Sequence, residues 1–319
     1  MHQNVHKHHR HHTGKLLSHL HLNPPDRQAA MIAALASEVV IHPMDTVVTR
    51  MQSAGYTQLY KHVNGTISRS LFAGLYQGFG PTLIAGTIGS AAFFTTYEAT
   101  KSAFEDAQAA GYFLGVPRPV AHIASSAVAE LLTCAIMNPA EVLKQNAQVL
   151  QPKAGESPII EMLRRLRGRP SALWAGYTTL VASQMPGICL TFALYETFKE
   201  SLLEKQSGSK TGSQLQAIVL SACAAGAFAS LPFVPIDVVK TRMRLAVGER
   251  TTDIQQSPKG EKGLSTRVSA FSVAGNILCK EGIAGLFRGS VMTCVAGVVG
   301  SGLYIGCYEG SKLYLFAQT

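Results

Sequence analysis

Three segments of the chain set charges at the same spacing behind a proline: PMDTVVTRMQ from Pro43, PAEVLKQNAQ from Pro139 and PIDVVKTRMR from Pro235. The acid stands two residues after the proline, at Asp45, Glu141 and Asp237. In the second and third copies a lysine follows three residues later, at Lys144 and Lys240. Residues three apart lie nearly one turn apart on the same helical face. The proline removes a backbone hydrogen bond and bends the segment that carries them. The chemistry on offer is electrostatic. Three such ends converging on an axis would let each acid meet the next helix's base, and pairing matters because a lone charge at membrane depth is costly. Charges that simply face water at a helix end would explain one motif, but explain three in register poorly.

The elements that must position these charges repeat as well. Tyr97, Tyr195 and Tyr308 open YEATK, YETFK and YEGSK, and an aromatic residue stands two before a glycine at Tyr76 and Gly78, Trp174 and Gly176, and Phe287 and Gly289. The prolines are equally spaced. The tyrosines are not, because the polar stretch from Gly248 to Gly263 lengthens the third copy. Apolar stretches precede the motifs at 29–42, 82–97, 121–138, 178–195, 215–234 and 290–308, each near the ~20 residues that span a bilayer core. They are rich in small residues, which lets helices pack closely in lipid. The expected architecture is an all-α membrane protein with six transmembrane helices in three repeats, over 23–110, 111–207 and 208–319, behind a His-rich disordered tail at 1–22. A soluble solenoid would repeat at a shorter period, without such apolar runs.

Composition agrees. The chain of 319 residues is 47% hydrophobic and only 15% charged, below the charged fraction of ordinary globular domains. Its net charge of +9 is spread near the ends of apolar segments, which suits anionic headgroups rather than a nucleic-acid groove. The six cysteines form no Cys-x-x-Cys pair and read as reduced, buried thiols. No metal site, cofactor, catalytic set or phosphate loop stands out, so an enzyme is not expected.

The three proline–acid–base segments resemble the signature of the mitochondrial carrier family, over roughly residues 25 to 316. The resemblance implies transport across the inner membrane by alternating access, in a monomer that binds cardiolipin. It implies a matrix gate in which Asp45 pairs with Lys144 and Glu141 with Lys240. The base that Asp237 would need falls at Val48, so this gate reads as one bridge short. Gln52 and Gln148 match the family's glutamine braces; the third brace position is Arg244, whose long guanidinium is a candidate partner for Asp237. A cytoplasmic gate is implied at Glu98, Lys101, Glu196, Lys199, Glu309 and Lys312, braced by Tyr97, Tyr195 and Tyr308. The glycines Gly78, Gly176 and Gly289 match cardiolipin sites at the starts of the even helices.

Glu38 precedes Asp45 by nearly two turns and Glu130 precedes Glu141 by about three, so each shares a face with its motif acid. Intramembrane carboxylates point to function, and two of them without a projected basic partner favour a cationic or zwitterionic cargo. Within the family the chain is similar to S-adenosylmethionine carriers, through PAEVLKQNAQ, AAFFTTYEATK and the two acids. It departs from them at Ser183 and Gln184 on the fourth helix, where an Arg and an acid are usual, and at Thr293 on the sixth. The contact points near Ala85 and Gly297 are small and apolar. A carrier of another substrate, an amino acid, nucleotide or metal ion, is an alternative, as is a degenerate carrier acting as scaffold or receptor.

Overall fold

The computed structural model describes residues 24–112, 118–150, 156–204, 211–256 and 269–316; the tail expected at 1–22 lies outside them. Helices are the regular elements among the described residues, joined by turns and irregular segments, with one isolated bridge between Lys61 and Ile67. In chain order the helices are α1 (Pro24–Gln52), α2 (Tyr56–Tyr60), α3 (Phe79–Ala109), α4 (Arg118–Val149), α5 (Pro158–Leu166), α6 (Tyr177–Glu204), α7 (Thr211–Ser230), α8 (Val234–Gln256), α9 (Ala270–Leu286) and α10 (Ser290–Phe316).

Helices α1 and α4 run through Pro43 and Pro139 without a break. The third copy differs. A 3-10 turn at Leu231–Phe233 separates α7 from α8, where Pro232 adds a second missing amide three residues before Pro235. The polar stretch after the third motif is partly helical, because α8 continues to Gln256.

Among the described residues, four stretches are long and apolar enough to cross a membrane: Ile32–Gln52, Val120–Val149, Gln216–Glu249 and Ser290–Tyr308. Helices α3 and α6, with 31 and 28 residues, are also long enough to span. Ile84, Ile88, Phe94, Ile123 and Val291 stand outward on these helices and are more than half exposed, as a lipid-facing surface requires. Of the cysteines expected to be buried, only Cys134 is. Cys189 and Cys279 are exposed, and all six are free thiols.

The chain divides into two units. The larger comprises His42–Leu194 and Ala227–Ala296. Within it, Val234, Val238, Val239 and Met243 of α8 pack on Ile277 of α9, and Val47 of α1 packs on Tyr56, Tyr60 and Leu71. Helix α3 meets α4 closely enough that a Cβ on Gly89 would lie 3.0 Å from Met137 Sδ.

The other unit comprises Met1–Ile41, Tyr195–Gly226 and Gly297–Thr319. There α7 lies against α10 with almost no side chain between them. A Cβ on Gly226 would collide with Ser301 Oγ, and one on Gly302 with Cys223 Sγ. Small residues at a lipid-bounded helix pair permit this backbone approach.

Candidate functional site

The motif ends of α1, α4 and α8 all lie in the larger unit, and their charges meet there. Lys144 Nζ sits 3.1 Å from Asp45 Oδ2 and 3.9 Å from Glu141 Oε1, with its side chain only 7% exposed. The other two acids are paired differently from the expected scheme. Glu141 Oε2 lies 3.3 Å from Arg244 Nη1, and Lys240 Nζ turns back 2.6 Å onto Asp237 Oδ1 of its own helix. The close ion pairs are therefore Arg244 with Glu141 and Lys240 with Asp237. The physical reason is proximity. With valine at position 48, the nearest cation to Asp237 is one turn along α8, and Lys240 has the reach to close that ring.

Arg244 is almost fully enclosed. Its Nη2 donates to Asn138 Oδ1 at 2.9 Å, and Asn138 Nδ2 donates in turn to the carbonyls of Leu173 and Ala175. In the first repeat His42 occupies the place of Asn138, and its Nε2 donates to the Gln77 carbonyl at 3.1 Å. Both residues are 0% exposed. They tie the motif to the aromatic-x-Gly turn of the same repeat.

The glutamine positions bridge different repeats. Gln148 Nε2 donates to Thr46 Oγ1 at 3.0 Å, and Gln52 Oε1 accepts from Thr241 Oγ1 at 2.8 Å. A second set of bridges escaped the sequence reading. Two residues before each brace position stand Arg50, Asn146 and Arg242. Arg50 donates to the Gln148 carbonyl, Asn146 to the Arg244 carbonyl and Arg242 to the Gln52 carbonyl. The three contacts link the first repeat to the second, the second to the third and the third to the first. Only the donors are side chains. The acceptors are main-chain carbonyls, which leave no mark in a sequence.

Each of these side chains is also anchored within its own repeat. Arg242 Nη2 reaches Glu281 Oε1 at 2.8 Å, as does Arg288 to Glu281 Oε2. Arg50 instead donates through Nη1 to the carbonyls of Ser70, Leu71 and Ala73, and through Nη2 to Gln77 Oε1. Tyr60 lies under its guanidinium, 5.7 Å from the ring centroid. Burial holds the Tyr60 hydroxyl above its ordinary pKa, with the Arg50 charge pulling the other way. Asn146 is neutral and needs no counter-charge.

Helices α3, α6 and α10 each begin directly after a positive-φ glycine, at Gly78, Gly176 and Gly289, with φ of 85°, 75° and 84°. These turns abut the motif helices of other repeats. A Cβ on Gly78 would meet Lys144 Cα and O at 2.9 Å. On Gly176 it would meet the Lys240 carbonyl at 3.5 Å, and on Gly289 the Gln52 side chain at 3.6 Å.

Among the projected cargo contacts, Glu130 Oε1 accepts a weak hydrogen bond from Cys134 Sγ at 3.4 Å, one turn along α4. Glu38 is half-buried on α1, with Oε1 enclosed. Ala85 and Ser183 are buried, and Ser183 Oγ donates to the Leu180 carbonyl of its own helix. Gln184 is exposed. Gly297 turns its carbonyl toward Gly226.

At the other motif set, Tyr97 Oη shares a 3.0 Å hydrogen bond with His122 Nδ1 of α4, and Lys199 Nζ lies 5.0 Å over the Tyr195 ring. Glu98 is exposed, and Lys101 and Tyr308 are half-buried. The side chains of Glu196, Glu309 and Lys312 lie outside those described.

A family model described as mitochondrial carrier protein matches the chain three times, over residues 25–108, 116–206 and 212–319. An uncharacterized mitochondrial carrier of Schizosaccharomyces pombe is 28% identical over 305 residues, which is 92% of this chain and 79% of that protein. The mitochondrial S-adenosylmethionine carrier protein of Xenopus tropicalis is 29% identical over 286 residues, covering 90% of this chain and 94% of its own. The protein of that name from Danio rerio is 30% identical over 284 residues, 87% of this chain and 92% of its own.

Proposed function

The chain belongs to the mitochondrial carrier family, transporters of the inner membrane rather than enzymes, and we propose that it carries S-adenosylmethionine or another small cationic or zwitterionic metabolite by alternating access. The observation behind the cargo class is the pair of carboxylates, Glu38 on α1 and Glu130 on α4, each in register with the motif acid of its own helix. Glu130 is held by a thiol, a weak donor that leaves its capacity for a cation largely unspent. A sulfonium or ammonium group suits such a carboxylate. Relatives at 28–30% identity that bear the S-adenosylmethionine carrier name support the specific cargo.

One observation favours a different cation within the same class. Ser183, Ala85 and Gly297 are engaged in packing or in their own helix, and Gln184 brings no charge. Recognition then rests on the two acids, which suit many cations. The proposed lipid contacts are the starts of α3, α6 and α10, at Gly78, Gly176 and Gly289, where anionic cardiolipin would meet free amides.

Uptake into liposomes tests the cargo, with labelled S-adenosylmethionine set against basic amino acids, nucleotides, carboxylates and divalent metals. The native chain is expected to take up S-adenosylmethionine. Glu38→Gln and Glu130→Gln should each slow uptake about tenfold or more, the loss of a charge-assisted contact of about 1.5–3 kcal/mol. Preference for anions would overturn the cargo class. Inactivity toward every compound would favour a scaffold.

A further inference from the structure

The three motif acids, Asp45, Glu141 and Asp237, are met by three cations, Lys144, Lys240 and Arg244, while Arg50 and Arg242 of the same segments turn to other partners. Each motif acid therefore has a cation, although the base expected at position 48 is missing. We propose that Arg244 is the displaced third cation of the matrix gate: the charge absent from Val48 on α1 has been moved to the brace position of α8, and the pairing has shifted around the ring to accommodate it.

The geometry gives the sequence of displacements. Gln52 meets Thr241 and Arg242 at the junction of α1 and α8. One turn back along each helix stand Val48 and Asp237, so a base at position 48 would have come beside Asp237. Valine offers nothing there. Asp237 takes Lys240 from its own helix at 2.6 Å, and that lysine is spent. Glu141 would then hold only the more distant of the two acid contacts of Lys144, at 3.9 Å. Arg244 supplies the missing cation at 3.3 Å.

The position suits arginine in particular. Its side chain is 1% exposed and its fork spans two acceptors, Glu141 and Asn138. Its Nε is enclosed with no hydrogen-bond partner, an unmet donor that a glutamine brace would not create. That cost is consistent with a residue kept for its charge. The inference rests on the alternating-access reading above, since a gate matters only to a carrier. Arg244 acts here as a positioning residue that sets the closed state, not as a contact for cargo.

The test is epistasis across two helices. In Arg244→Gln the brace becomes the residue that stands at Gln52 and Gln148, a change that would be mild if Arg244 were only a brace. It is expected instead to lower the thermal midpoint in lipid–detergent micelles by about 5–10 °C, because Glu141 loses its buried partner. Adding Val48→Lys should recover most of that loss, since a lysine at 48 takes Asp237 and frees Lys240 for Glu141. The same Val48→Lys in the native background should give no comparable gain. Arg244→Lys should retain part of the native midpoint.

A residue that merely fills space would not be rescued from another helix. If Arg244→Gln yields no folded protein, recovery of folded protein by Val48→Lys is the same supporting result. Absence of rescue in either measurement overturns the proposal, as does an Arg244→Gln midpoint equal to the native one. Exchange of S-adenosylmethionine supplies the second readout. Arg244→Gln should lower the maximal rate with half-saturation unchanged, and Val48→Lys should restore the rate. If no protein in the series exchanges it, the cargo reading fails while the thermal rescue still decides the gate.

Discussion

Gly78→Ala is expected to lower the thermal midpoint by about 5–10 °C and to disturb the ion pair between Lys144 and Asp45. Two costs combine. Gly78 has φ of 85°, a conformation that costs an L-residue about 1–2 kcal/mol. Its new Cβ would also lie 2.9 Å from both Cα and O of Lys144, and that neighbour is helix backbone, which cannot rotate away. Overpacking of this kind adds about 1–3 kcal/mol, and together the two give the expected shift. Gly289→Ala is the control. Its φ is 84°, nearly the same, but its neighbours are side-chain atoms of Gln52 and Met51 at 3.6 Å or more. It should lose the conformational share alone. Equal losses in thermal melts of the two variants would mean that the Lys144 backbone yields. The larger loss at Gly78 would assign this turn a gate-supporting role beyond any lipid contact.

The contrast between these two glycines shows what sequence could and could not carry. Three prolines at equal spacing and three tyrosine–glutamate pairs were enough for the repeats and the long helices, because helix periodicity and bilayer length are written in residue types. The pairing of Asp45 with Lys144 followed from the family resemblance. The other two pairs did not. Lys240 had two acids within reach, and the choice of Asp237 depends on what stands at Val48, a residue on a different helix. Arg244 was legible as a charge in a glutamine position, but its partner was not. The bridges from Arg50, Asn146 and Arg242 could not have been read at all, since they end on carbonyls that every residue possesses. Pro232 was visible as a residue. Its effect, a break between α7 and α8 that α1 and α4 lack, required two prolines to act together.

Those carbonyl bridges make Arg50 the residue whose loss should be felt most widely. It is 4% exposed and donates to the carbonyls of Gln148, Ser70, Leu71 and Ala73 and to Gln77 Oε1. One side chain thus joins α1 to α4 and to the turn that opens α3. Arg50→Leu keeps apolar bulk over Tyr60 but leaves buried acceptors unmet, each costing about 1–3 kcal/mol before relaxation. After partial rescue by solvent the net loss should be about 3–5 kcal/mol, roughly 6–15 °C in midpoint for a chain of this size. Arg50→Lys should recover little of it. A lysine keeps the charge, but its single ammonium cannot reproduce a planar fork that points to α4 and to the segment before α3 at once. Arg242→Leu is the informative comparison. Arg242 makes the equivalent bridge to Gln52, but its partner Glu281 retains Arg288 at 2.8 Å after the change, so the stranded group stays paired. Thermal unfolding of the three variants should rank Arg50→Leu lowest, Arg50→Lys close to it and Arg242→Leu nearer the native chain. If Arg50→Lys melts like the native protein, charge alone holds the first repeat to the second, and the carbonyl cage contributes nothing beyond it.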